Sequence, residues 1–85
     1  GVIMANANPE RGQQLAQRLC ASCHTFNEGG RSGVGPNLYA IVNAPHAHAS
    51  GFNYSPAMRS LANKPWSYED LNRWLAKPAE YLPGN

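Results

Sequence analysis

Three stretches of the chain carry apolar residues at helical spacing. In the first, Leu15 and Leu19 lie four apart on one face with Gly12 and Ala16 beside them. Asn8 can cap this helix, Pro9 suits its first position, and Glu10 puts negative charge in its first turn. Gly12 inside a helix invites close approach by another helix. The second helix is predicted from the Ser55-Pro56 cap to Leu61 or Ala62. The third opens at Ser67, carries Glu69 and Asp70 in its first turn, and shows Leu71, Trp74 and Leu75 as a stripe. Pro78 is expected to end it.

Between these helices the pattern is irregular. Residues 25–37 are crowded with Gly, Asn, Ser and Pro and read as loop. The short apolar run 38–42 is expected to be buried, and 43–54 reads as loop again. No segment alternates long enough for a strand, and no repeat is present. The expectation is an all-α fold of short helices joined by long loops. Loops of that length are uncommon in a compact domain unless they wrap something large.

Composition sharpens this. The chain has 85 residues, a net charge of +2, 14% charged and 42% apolar residues, with eight glycines and seven prolines. That bounds it to one small domain. No apolar run approaches the roughly 18 residues of a membrane span. The charge is too small and too scattered to argue for nucleic acid. Below about 70–80 residues a core usually needs a staple, and this chain is close to that limit. Residues 1–8 read as an N-terminal arm, in which Ala5-Asn6-Ala7 is similar to an export cleavage site, and 9–85 as the domain.

The two cysteines, Cys20 and Cys23, would close too small a loop to stabilise the fold as a disulfide. With His24 they form C-x-x-C-H, the attachment signature of c-type haem. Two thiols three positions apart can each add to one vinyl group of a porphyrin edge, and the adjoining imidazole supplies the proximal iron ligand. The rival readings fit less well. A zinc site needs two more ligands, and His46 and His48 have the wrong spacing for them. A thioredoxin-like dithiol needs a preceding strand. The Gly-rich loop lacks the Gly-Lys-Ser/Thr end of a phosphate loop.

These features resemble a class I cytochrome c of the bacterial c2 and mitochondrial type. The resemblance runs from about Gly12 onward through C-A-S-C-H, Gly35-Pro36-Asn37-Leu38, Gly51-Phe52-Asn53-Tyr54-Ser55, Trp66, and Tyr81-Leu82-Pro83-Gly84. It implies haem thioethers at Cys20 and Cys23, iron ligation by His24, and a Pro36 carbonyl orienting that imidazole. It implies that Leu38 packs on the haem edge, that Tyr54 and Trp66 donate to a buried propionate, and that Trp74 stands beside the distal ligand. It also implies a one-electron carrier rather than an enzyme, with transient redox partner proteins and a periplasmic location, the mitochondrial intermembrane space being the runner-up.

Two departures matter. The family's distal methionine and final helix follow the Pro-Gly, whereas this sequence stops at Asn85. The chain therefore reads as part of a longer cytochrome, with the Gly12 and Ala16 face awaiting a segment or second chain that completes the fold. The sixth iron position is expected to hold water, to stand empty or to take a ligand from a separate segment; among the residues present Met58 is the first candidate by chemistry, and Met4, Asn85, His46 and His48 are weaker ones, both histidines reading as solvated. The arginine often found after G-P-N-L is missing from 39–50, which leaves the propionate charge less balanced. Two rival functions follow from the same residues: an open-coordination haem protein with ligand-binding or peroxidase-like activity, and a cytochrome domain of a larger dehydrogenase or oxidase.

Overall fold

The computed structural model describes residues 5–85. Its elements are α1 (Pro9–Leu19), α2 (Pro56–Arg59), α3 (Tyr68–Ala76) and α4 (Pro78–Tyr81). Two compact units are present, divided between Tyr39 and Ala40. Of the N-terminal arm, Met4 and the residues before it lie outside the described part, and Ala5–Asn8 leads exposed into α1.

In the first unit, α1 begins as the sequence predicts. The Asn8 side chain accepts from the Arg11 amide at 3.1 Å, and Pro9 occupies the first turn, where a missing N–H costs nothing. None of its residues is buried: Leu15 and Leu19 are exposed, and no atom lies within 4 Å of a Cβ built on Gly12. The helix closes where the Cys20 and Ala21 amides both donate to the Ala16 carbonyl, at 2.8 and 3.0 Å.

In the second unit, α2 is shorter than predicted. Ser55 caps it through the Met58 amide, but after Arg59 the chain tightens into i→i+3 turns, Leu61 to Met58 and Ala62 to Arg59. The Ser60 hydroxyl donates to the Ala57 carbonyl, and Pro65 holds the residue before it out of helical geometry, so a one-turn nucleus gains little by growing. The segments 43–46 and 64–66 then run side by side. Asn43 donates to Trp66, Trp66 to Ala44 and His46 to Lys64 at 2.7, 2.7 and 2.9 Å, around an isolated antiparallel bridge of Pro45 and Pro65.

Ser67 caps α3 by accepting from the Asp70 amide at 3.0 Å. The helix stops at Lys77, which precedes a proline and takes φ −150°. Pro78 does more than end α3: it is also the first residue of α4, which packs on α3 and which the sequence reading leaves as irregular chain.

Two burial expectations are corrected. The run 38–42 is not buried. Leu38, Ile41 and Val42 are half-buried, while Tyr39 and Ala40 are exposed, because left-handed backbone at Ala40 and Asn43 turns successive side chains apart. In the α3 stripe Leu71 and Trp74 are half-buried, but Leu75 is 75% exposed. It lies one step round the helix from Trp74, which alone of the two meets Trp66 and Tyr81. Among the described residues the buried apolar side chains are Met58 and Trp66, both in the second unit.

Candidate functional site

The C-x-x-C-H residues sit in the turn that follows α1. The Cys23 and His24 amides both donate to the Cys20 carbonyl at 3.0 Å, so the motif is wound as one tight turn. Both thiols are free. Cys20 is half-buried, and Cys23 is exposed with the Ser22 hydroxyl 3.7 Å from its sulfur.

His24 is held by the chain on both sides of it. The Gly35 amide donates to the Cys23 carbonyl at 2.8 Å, and the Leu38 amide donates to the Thr25 carbonyl at 2.8 Å. Between these, His24 Nδ1 lies 2.7 Å from the Pro36 carbonyl oxygen. A carbonyl can only accept, so Nδ1 carries the hydrogen, and the lone pair of the neutral ring is the one on Nε2. Gly35 makes the approach possible: a Cβ there would stand 2.7 Å from both ring nitrogens. Pro36 and Leu38 are half-buried in this same loop.

Asn37 ties the loop together. Its amide nitrogen donates to the Thr25 hydroxyl at 2.8 Å and the Asn27 carbonyl at 3.0 Å, and its oxygen accepts from the Tyr39 amide at 3.2 Å. Thr25 in turn donates to the Arg31 carbonyl at 2.8 Å. Sequence reasoning places Gly35 and Asn37 in a family motif but assigns neither a task, and passes over Thr25. A loop Asn flanked by Pro and preceded by four glycines was the available signal, since such a side chain can replace missing backbone pairing.

The other predicted site residues belong to the second unit, where they fall in two places. Tyr54 packs edge-on against Phe52 at 4.9 Å, and its oxygen accepts from the Ala49 amide at 2.8 Å, which leaves the phenol proton for another acceptor. Burial pushes this phenol above 10.0, against the opposing Ala49 bond. Trp66 and Trp74 are brought together edge to face, 5.8 Å apart, with Tyr81 against both.

The largest departure from the sequence reading is His46. It is not solvated: it has no exposed surface, and its ring stacks on Trp66 at 3.6 Å. Its Nδ1 lies 2.5 Å from the Lys64 carbonyl oxygen and its Nε2 lies 2.9 Å from the Tyr81 hydroxyl. With both nitrogens committed it has nothing left for a metal. His48 is half-buried rather than solvated, which also departs from that reading. Met58 is buried in α2, and Asn85 turns its side-chain amide back to the Leu82 and Pro78 carbonyls at 2.7 and 3.2 Å.

Beside this cluster Asp70 is nearly buried, 3.6 Å from the Lys64 ammonium, and accepts from the Ser67 hydroxyl at 2.9 Å. Burial alone would raise its carboxyl. The Ser67 bond, the Lys64 charge and the Tyr81 hydroxyl together outweigh that and hold it below 3.8. Tyr81 is pushed above 10.0, by burial first and then by the Asp70 charge, with Lys64 opposing. Arg73 and Lys64 also lie over its ring, at 5.1 and 5.6 Å. Among the described residues no group of three or more Cys, His, Asp and Glu is placed to hold a metal ion, and no helix is long and apolar enough to cross a membrane.

A family model described as Cytochrome c matches residues 9–80. The chain is 39% identical over 83 residues to a cytochrome c homolog of Bradyrhizobium diazoefficiens, covering 96% of this chain and 44% of that protein. It is 33% identical over 82 residues to a cytochrome c homolog of Rickettsia bellii, covering 96% of this chain and 46% of that one. A cytochrome c of Theileria parva is 35% identical over 83 residues, covering 98% of this chain and 70% of its own length. The chain thus spans less than half the length of the two bacterial proteins.

Proposed function

Since the chain belongs to the cytochrome c family, whose members bind haem c covalently, we propose that it carries single electrons through one haem c. The thioethers form at Cys20 and Cys23, and His24 Nε2 is the proximal ligand. The bound group supplies a ferric/ferrous couple. The fit rests on the chemistry of the donors: two free thiols in one turn, and an imidazole whose Nδ1–H is committed to Pro36. That commitment carries the proposal. It aims the Nε2 lone pair, and it raises the basicity of the ligand.

In this reading Leu38 packs on the haem edge, Tyr54 and Trp66 donate to a propionate, and Trp74 is the aromatic beside the distal ligand. A buried carboxylate needs such donors. The partners are donor and acceptor proteins in small, transient contacts. With seven basic residues against five acidic ones, electrostatic steering is modest. Haem attachment to thiols points to a compartment outside the cytosol, the periplasm by preference.

The test is intact mass together with an optical spectrum of one sample. The expected mass exceeds that of the polypeptide by one haem, with a Soret band that acidified organic solvent does not extract. A colourless protein, or a pigment that washes out, overturns the proposal. Redox titration then separates a carrier from an open-coordination protein: a carrier gives one reversible one-electron wave and a spectrum unchanged by carbon monoxide.

A further inference from the structure

We propose that His46 is the positioning residue of Trp66. For its bearing on the haem this rests on the reading of Trp66 given above; for its bearing on the indole it rests on geometry alone. The imidazole is wholly buried and lies 3.6 Å from the indole at an interplanar angle of 20°. Both ring nitrogens are bonded in the plane of the ring, Nδ1 to the Lys64 carbonyl and Nε2 to the Tyr81 hydroxyl. The carbonyl accepts, so Nδ1 carries the hydrogen, while Nε2 pairs with the Tyr81 hydroxyl, which Asp70 also engages. Two in-plane bonds stop the ring from rotating, and its face is thereby fixed against Trp66.

The same loop holds the backbone of Trp66. Asn43 donates to the Trp66 carbonyl and the Trp66 amide donates to Ala44, each at 2.7 Å. Backbone and side chain of the indole are thus set by residues 43–46. Tyr81 links this hold to α4, and Trp74 closes the indole edge from α3. The charged and titratable groups around the cluster are Lys64, Asp70, Arg73 and Tyr81. An apolar ring at position 46 would keep the stack but leave the Lys64 carbonyl without its side-chain partner and take from the Tyr81 hydroxyl one of its two, which gives a histidine a purpose here that packing alone does not.

The experiment uses the haem-bearing protein, labelled with 15N, and reads the Trp66 indole N–H, identified by its loss in W66F. H46A and H46F are each expected to move this resonance and to speed its hydrogen exchange about tenfold, the equivalent of one lost buried hydrogen bond. L75A, at an exposed α3 position outside the ring cluster, is the control and leaves it in place. If H46A does not accumulate, H46F carries the same readout. A Trp66 resonance and exchange rate unchanged in H46F overturn the proposal. The reduction potential separates it from the reading beneath it. A potential unmoved by W66F removes Trp66 from the haem but leaves the hold of His46 to be judged on the indole signal. A potential moved by W66F but not by H46F overturns the link from His46 to the haem.

Discussion

The carbonyl oxygen of Pro36 lies 2.7 Å from Nδ1 of His24, and the chain around the two is bonded to itself, the Gly35 amide to the Cys23 carbonyl and the Leu38 amide, two residues past Pro36, to the Thr25 carbonyl. Three bonds in register therefore set the imidazole, not one. A single side-chain bond would let the ring swing about χ1 and χ2. With the backbone of both segments locked, the direction of Nε2 is a property of the loop.

Gly35→Ala tests this register. The new methyl would meet the imidazole at Cε1, Nδ1 and Nε2. No side-chain flexibility relieves the clash, because the ring is bonded to the same loop. The expected loss is about 1–3 kcal/mol of stability, the usual cost of overpacking. Denaturant midpoints check it, and the visible spectrum should report weakened axial ligation in the same variant.

Asn37→Asp separates the Asn37 hub from its shape. The carboxylate is nearly isosteric but cannot donate to the Thr25 hydroxyl or the Asn27 carbonyl. We expect a loss of about 1 kcal/mol, the usual net worth of a hydrogen bond, since the part-buried Thr25 hydroxyl and the exposed Asn27 carbonyl both lose their donor. Asn37→Asp should be no better tolerated than Asn37→Ala in urea titrations. A variant as stable as wild type removes the hub from the argument.

Asp70 predicts an acid limb in the stability curve. Its folded value is held below 3.8, so the unfolded chain binds the proton more readily than the folded one. The stabilisation is whole above 3.8 and is lost as pH falls through the lower folded value. D70N lacks this limb, and its urea midpoint should fall less between pH 5 and pH 2 than that of the wild type, pH values chosen about the Asp range.

At the alkaline end Tyr54 and Tyr81 act in the opposite sense. Burial raises both phenols above 10.0, so the folded state keeps their protons longer. The stability they lend is complete below 10.0 and declines as pH rises through the raised values. Ultraviolet titration of tyrosinate should lose its highest-pH component in the Y54F, Y81F double variant. A wild-type curve with no phenol above 10 contradicts the burial of both.

Ser67→Ala removes more than a helix cap. The hydroxyl accepts from the Asp70 amide and donates to the Asp70 carboxylate, at 3.0 and 2.9 Å. Loss of a cap costs about 1 kcal/mol. A double-mutant cycle with D70N should show positive coupling, since the second bond is gone in either single variant.

Local chemistry was legible along the chain. The caps at Asn8, Ser55 and Ser67, the C-x-x-C-H turn and the Gly-Pro pair each act over a few residues, and each is a matter of which atoms a short segment can present. The pairing of His24 with Pro36 was reached through the family resemblance, because the two stand twelve positions apart along a loop. Gly35 and Asn37 stood within a recognised stretch, but what they do there depends on the atoms the loop folds against.

The sequence by itself determined the chemistry of the C-x-x-C-H turn: free thiols and an imidazole at fixed spacing, with a helix leading in. Only the tertiary structure decided the fate of His46, which is polar, lies in a loop and has no periodic pattern to mark it. Its burial comes from the pairing of 43–46 with 64–66 and from α4, which places the Tyr81 hydroxyl 2.9 Å from Nε2. Periodicity records which face of an element is apolar. It holds no record of a polar ring whose two partners lie 18 and 35 residues away, since such a side chain is buried only when distant segments arrive to satisfy both of its nitrogens.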